Sequence, residues 1–343
     1  MNYIDTVDKK IKEYFNIIEP DFPEWLNEYI NTNTLLKQQY IGIMCGVNYS
    51  NLFDIKTFYS NLDHSIGTAL ILWHFTHDKK QTLAGLFHDI ATPVFKHCID
   101  FLNDDYMKQE STEELTSKII SNSKEIMNLL RRDNIKLEEI DNYHIYPLAD
   151  NSIPRLCADR LEYVLSNSLI TYGFLNDDEV RELYSDIIIN KNEDCVDEFS
   201  FKTKKLARNF VKISTKLLIL FREDRTRYSN QFIADIIKKL VEEKVIAIKD
   251  LYNLKETDVI ETIKKSKYKD IFNIWMDTKR VKVSKDKPRD IYYVHHGVKI
   301  RYIDPLVKKA RISKLCKIAQ KNIEKNKAFD MSKYVYIDGI KFE

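Results

Sequence analysis

Apolar residues recur at three- and four-residue spacing through most of the first 250 positions, a pattern that predicts amphipathic helices. Only seven Gly and seven Pro interrupt the chain. Helix starts are marked by side chains able to accept an orphan backbone N–H. Asp63 is placed to cap the run from His64 to Phe75, while Ser111 with Glu114 and Asn176 with Glu179 have the spacing of capping boxes. After about residue 250 the texture changes. Residues 280–283, 291–294, 298–303 and 334–337 are rich in β-branched and aromatic side chains, with Lys287-Pro288 and His296-Gly297 as turn signals, so short strands are predicted there. The expected fold is mainly α: a helical core over residues 1–250 and a small C-terminal α+β appendage over 251–343. No low-complexity segment or internal repeat is visible.

Composition narrows the class. Apolar residues form 44% of the chain and charged ones 31%, the balance of a compact globular protein. Lys and Arg total 54 against 52 Asp and Glu, so a formal charge of +2 gives no global attraction to nucleic acid or anionic lipid, and any phosphate recognition must be local. The five cysteines (Cys45, Cys98, Cys157, Cys195, Cys316) are scattered and never spaced Cys-x-x-Cys, which argues against a disulfide framework or a thiolate zinc site and fits the cytoplasm. The stretch Met1 to Asp5 lacks the basic-then-apolar order of a signal peptide. Apolar runs such as Ala69 to Trp73 fall far short of the about 20 residues that cross a bilayer, so no membrane partner is expected.

Candidate chemistry lies in three separate stretches. His64 opens a predicted helix, His88-Asp89 ends another, and Asp159 stands in Ala158-Asp159-Arg160-Leu161-Glu162-Tyr163, each among apolar neighbours. A carboxylate in such surroundings needs a cation or strong hydrogen-bond partners, because burying it alone costs several kcal/mol. Each residue taken singly reads first as a hydrogen-bonded core position or a helix cap. Jointly, imidazoles and carboxylates on rigid elements are what a divalent ion takes as ligands while leaving positions for water.

These motifs resemble the HD-domain superfamily of metal-dependent phosphohydrolases, and within it the deoxynucleoside triphosphate triphosphohydrolase branch. The likeness covers the His64 helix, 83–100, Gln109-Glu110, 159–167 and, more loosely, 217–241, and implies an HD-domain helical bundle. It also implies that His64, His88, Asp89 and Asp159 bind one divalent metal, with Mn, Fe, Co, Ni, Mg and Zn not distinguished by such ligands. His97 and Asp100 match a His-x-x-Asp that reaches toward the phosphates, which makes His97 the candidate general acid oriented by Asp100. Arg160 matches a basic residue that steadies phosphate oxygens. Tyr163 and Asn167 match a Tyr and an Asp that hold the deoxyribose; Asn keeps the hydrogen bonding but not the charge. Thr92 and Gln109 stand where the family has histidines of the catalytic relay, with Glu110 following, and Asn61 near where a phosphate-binding residue precedes the first ligand. The expected substrate is a nucleotide or deoxynucleotide, cleaved as a triphosphohydrolase or a phosphomonoesterase. The altered relay keeps a second reading open, a metal-retaining nucleotide sensor with reduced catalysis. A homodimer is the default assembly.

Other polar features are read as structural first. His74 and His77 fall in the last turns of a helix, where partial positive charge is favourable. His144 could join His97 in a second metal site. The basic stretch Lys279 to Arg289 fits a solvated hairpin, His295-His296 an exposed position, and Arg222, Arg225 and Arg227 are secondary phosphate candidates beside Glu223 and Asp224.

Overall fold

The computed structural model describes residues 2–96, 98 and 115–342. The fold is mainly α, with few and short strands. The helices of nine residues or more are α1 (Lys9–Ile18), α2 (Asn61–Thr76), α3 (Lys79–Phe87), α4 (Lys124–Arg132), α5 (Ala158–Ser166), α6 (Asp177–Ser185), α7 (Lys204–Leu220), α8 (Asp224–Glu242), α9 (Glu256–Lys265), α10 (Lys269–Asp277) and α11 (Lys317–Lys327). None is long and apolar enough to cross a membrane among the described residues.

Helix α2 is the central element. Every residue from Asn61 to Leu72 is buried, so it is wrapped on all sides rather than amphipathic. It begins a little earlier than the sequence suggested. Ser60 is the cap: its Oγ accepts from Asp63 N at 3.0 Å, and the Asp63 carboxylate accepts from Ser60 N at 2.9 Å. Asp63 is therefore the reciprocal partner in a capping box, not the cap itself. The box at Asn176 and Glu179 forms as expected, with bonds of 3.0 and 2.9 Å; the one expected at Ser111 and Glu114 lies outside the described residues. Helix α5 crosses α2 closely because residue 67 is glycine: a Cβ there would stand 2.6 Å from Glu162 Oε1.

Two small sheets complete the chain. Strands β1 (Ile187–Lys191) and β2 (Asp197–Phe201) form an antiparallel hairpin inside the region expected to be helical. Further on come β3 (Lys282–Ser284), β4 (Tyr293–Val294), β5 (Leu306–Val307), β6 (Ala310–Arg311) and β7 (Tyr334–Tyr336). One sheet has the order β1-β2-β5-β6, with β2 and β5 parallel; the other has the order β3-β7-β4. The predicted strand at 298–303 belongs to neither and runs as irregular chain.

Residues from both sides of position 250 share both apolar cores. Leu70, Phe87, Leu161 and Phe210 pack in one cluster with Val307, Ile312 and Ile323; Phe53 and Phe232 pack in the other with Trp275 and Val335. A buried ion pair ties the same halves together, Arg311 Nη2 to Glu198 Oε2 at 2.9 Å and Nη1 to Oε1 at 2.5 Å. This two-point geometry is the strongest form of such a pair.

Glu256, at the start of α9, is buried and accepts from Gly42 N at 2.9 Å, beside the bridge from Gly42 to Ser60 that leads into α2. Burial pushes its carboxyl up to about 8. The folded state thus keeps a proton that the unfolded state loses above the ordinary value of 4.5. Stability contributed by this group is full below that value and is lost as pH rises toward 8, at about 1.4 kcal/mol per pH unit. Glu256→Gln, which cannot ionise, is expected to flatten this part of the melting-temperature profile; an unchanged slope in the variant would assign the pH dependence elsewhere.

Candidate metal centre

His64 lies in the first turn of α2 and is 2% exposed. His88 follows α3 directly, Asp89 is the next residue, and Asp159 stands in the first turn of α5. The three stretches bring these side chains to one point. Nε2 of His64 is 3.3 Å from Nε2 of His88, 3.1 Å from Asp159 Oδ1 and 3.9 Å from Asp89 Oδ2. Nε2 of His88 is 3.6 Å from Asp89 Oδ2 and 3.9 Å from Asp159 Oδ1. Around a cation with bonds of about 2.1 Å, adjacent ligand atoms stand about 3.0–3.4 Å apart and opposite ones about 4.2 Å. The distances from the two imidazoles to each carboxylate fit the edges of a coordination sphere; the donor atoms of His64, His88 and Asp89 lie within 4.8 Å of one another, and those of Asp159 lie within that distance of Asp150 and Cys157 as a second group.

The remaining ring nitrogens are committed in the way metal-binding imidazoles require. His88 Nδ1–H donates to the Gly85 carbonyl at 2.7 Å, so the neutral ring presents a lone pair at Nε2. Nδ1 of His64 makes a very short contact with the carboxylate of Glu162. Glu162 is fully buried and also accepts from Tyr59 Oη at 2.7 Å and Ser166 Oγ at 3.3 Å.

The electrostatics are those of a cation site. Burial alone would raise the Asp89 and Asp159 carboxyls. Lys96, His88 and His64 outweigh it at Asp89, and His64 and His88 outweigh it at Asp159, so both are held well below the usual carboxylate range. Burial would lower His64, but Glu162 and Asp159 prevail and raise it to about 9. A proton and a divalent ion therefore compete for the same Nε2.

A pocket of about 810 Å³ opens over these four residues. Its wall includes Lys96, Tyr143, Tyr163, Asn167, Phe221 and Arg301. Tyr163 Oη and Asn167 Oδ1 are both buried without a hydrogen-bond partner. Asn167 opens a single π-helical turn, Asn167–Thr171, an irregularity that often marks functional positions. Arg160 reaches the pocket, but its guanidinium braces the loop before α5: Nη1 donates to Asn151 Oδ1 at 2.6 Å and to Arg155 O at 3.0 Å, and Nη2 lies 3.3 Å from Asp150 Oδ1. His144 also lines the pocket, bound to Asp150 Oδ2 at 2.8 Å.

Several expected positions fall elsewhere. Thr92 is buried and absent from the pocket wall, its carbonyl accepting from Gln38 Nε2 at 3.3 Å. Asn61 is likewise scaffold, donating to Gln38 Oε1 at 2.9 Å and Asp89 O at 3.1 Å. His97, Asp100, Gln109 and Glu110 lie outside the described residues. His74 bonds Glu19 at 3.1 Å and His77 caps α2 with positive φ, both structural roles. Arg225 donates to Leu52 O at 2.5 Å. The exposed ring of His295 stacks on Tyr334 at 3.9 Å.

Other site residues were not anticipated. Lys96 is 8% exposed, and its Nζ lies 2.6 Å from Asp89 Oδ2. Phe95 and Lys96 both have positive φ, 63° and 46°, a backbone that side-chain-bearing residues hold only when the surroundings impose it. Glu162 could have been found, because it stands three residues after Asp159 on one helix and is a lone carboxylate between leucine and tyrosine.

No family model matches the chain. It is 26% identical over 274 residues to the uncharacterized protein YdhJ of Bacillus subtilis (strain 168), spanning 79% of this chain and 80% of that one. It is 22% identical over 150 residues to the metal-dependent phosphohydrolase cns2 of Cordyceps militaris, spanning 44% of this chain and 42% of that protein. Among solved structures, a hypothetical protein from Aquifex aeolicus aligns with a TM-score of 0.61 at 17% identity, covering 92% of this chain and 93% of its own. A phosphohydrolase from Bacteroides thetaiotaomicron VPI-5482 aligns with a TM-score of 0.59 at 12% identity, covering 94% of each chain. Over nearly its whole length, then, the chain shares its fold with a protein called a phosphohydrolase, and part of its sequence is similar to one called metal-dependent.

Proposed function

We propose that this protein is a metal-dependent phosphohydrolase of the HD-domain kind that acts on a nucleotide or deoxynucleotide phosphate. The observation that carries the reading is the convergence of two imidazole Nε2 atoms and two carboxylates at the floor of a pocket large enough for such a ligand. The names of two relatives support the same reaction class. His64, His88, Asp89 and Asp159 hold the ion. When bound, a divalent ion there supplies Lewis acidity to a phosphoryl oxygen and lowers the pKa of water.

The chain's own groups do the rest. Lys96 stands beside Asp89, where its ammonium can neutralise phosphoryl oxygens without leaving the carboxylate. Tyr163 and Phe221, with ring centroids 6.5 Å apart, offer flat apolar surface to a base or sugar. The unpaired Tyr163 Oη and Asn167 Oδ1 are positioned to bond sugar hydroxyls. Arg160 acts chiefly by holding the wall that carries Asn151 and Asp150. His97 with Asp100 is the proposed proton donor to the leaving oxygen, and Gln109 and Glu110 are proposed to face the substrate.

Protein loaded in turn with Mn, Co, Mg or Fe, offered nucleoside mono- and triphosphates, is expected to release a phosphorus product that depends on the metal. Orthophosphate from a monophosphate identifies a phosphomonoesterase, and tripolyphosphate from a triphosphate identifies a triphosphohydrolase. Metal-dependent nucleotide binding with no product from any of them would replace this reading with the sensor.

A further inference from the structure

A second, smaller cleft of about 30 Å³ adjoins the metal pocket and shares Phe221, Asn230, Lys299 and Arg301 with it. Its lining is unusual in charge. Arg222, Arg227, Lys299 and Arg301 all contribute, and no carboxylate does among the described residues. The two arginines are nearly inaccessible, at 3% and 1% exposure. Arg222 is anchored by Nε to Leu218 O at 3.1 Å and by Nη2 to Asn326 O at 2.6 Å, while Nη1 has no partner. Arg227 is anchored by Nη1 to His296 O and Nη2 to Asp224 Oδ1, both at 2.6 Å, while Nε has no partner.

Two rigidly held guanidinium groups, each with a buried donor left over, are costly unless an acceptor meets them. Asp224 balances the charge of Arg227, whereas Arg222 makes no ion pair among the described residues. Burial, and then the nearby Arg301, hold the Arg222 guanidinium below its usual range. Lys299 and Arg301 stand two residues apart, a spacing that in extended chain puts both on one face, and both reach the two cavities.

We propose that this cleft is an oxyanion subsite, and that the ligand of the large pocket carries anionic groups at two separate positions. One group lies at the metal centre, a clause that rests on the phosphohydrolase reading. The other, a phosphate or a carboxylate, is held by Arg222 and Arg227 with Lys299 and Arg301 at the junction. A nucleoside bisphosphate has this chemistry; a nucleoside monophosphate does not.

The first test needs no metal and no turnover. Chelator-treated protein is titrated with inorganic phosphate by calorimetry, beside Arg222→Gln and Lys299→Ala, with melting curves to confirm that each variant folds. Phosphate is expected to bind the wild type and to bind each variant about tenfold more weakly or worse. No heat with the wild type, or equal affinity in folded variants, would overturn the subsite. In the second test, Arg301→Ala is compared on nucleoside mono- and bisphosphates with the metal-loaded enzyme. Its KM is expected to rise about tenfold more for the bisphosphate, and an equal rise for both would overturn the two-anion ligand. If neither of these esters nor a nucleoside triphosphate is hydrolysed, the phosphohydrolase reading falls, while the phosphate titration still decides the cleft.

Discussion

Asp159→Ala is expected to lose its divalent ion on gel filtration and to turn over phosphate esters at least about 10³-fold more slowly. The size follows from what a metal contributes at such a centre, several kcal/mol of charge stabilisation, at about 1.36 kcal/mol per tenfold in rate. Asp159 is the right residue to remove because its Oδ1 approaches both imidazoles, at 3.1 Å from His64 and 3.9 Å from His88. Its loss leaves the folded body little changed: the side chain is about a quarter exposed, and its place in the first turn of α5 is worth less than about 1 kcal/mol to the helix dipole. Metal affinity of the wild type is also expected to rise with pH up to about 9, since one proton must leave His64 Nε2 for an ion to take its place. A variant that keeps both its metal and its rate would remove Asp159 from the ligand set.

Glu162→Gln is expected to weaken metal binding about 10–100-fold while leaving turnover largely recoverable with excess metal. The physical reason is a count of donors. His64 Nδ1, Tyr59 Oη and Ser166 Oγ all point hydrogens at this one side chain, and a carboxylate can accept from all three. The amide of glutamine offers one acceptor oxygen and turns two hydrogens toward groups that also donate, so the His64 ring loses its fixed tautomer. Recovery by added metal separates a positioning role from collapse of the core, which no metal concentration would repair.

How far the site could be read from sequence depended on whether a residue's job was local. His64, His88, Asp89 and Asp159 were readable because each combines a ligand-type side chain with apolar neighbours, and their convergence then follows from the packing of α2, α3 and α5. Lys96 was not readable: what brings it to Asp89 is the left-handed backbone at Phe95 and Lys96, a tertiary constraint with no glycine or asparagine to announce it. Thr92 shows the converse, a position singled out because the resembled family has a relay histidine there, and one that the turn buries against Gln38. The β1–β2 hairpin was missed because its strands are short and their burial does not alternate: Glu198 and Ser200 are as buried as Phe199 and Phe201, Glu198 being paired with Arg311 more than a hundred residues away. Residues 298–303 have the composition of a strand but pair with no strand among the described residues, and two of them, Lys299 and Arg301, line the metal pocket instead.

The most direct measurement is an anomalous-scattering map from crystals soaked in Mn. One peak is expected, about 2.0–2.4 Å from His64 Nε2, His88 Nε2 and a carboxylate oxygen each of Asp89 and Asp159. A map with no peak there, with Lys96 Nζ still seated on Asp89, would contradict the assignment of these four side chains to a metal.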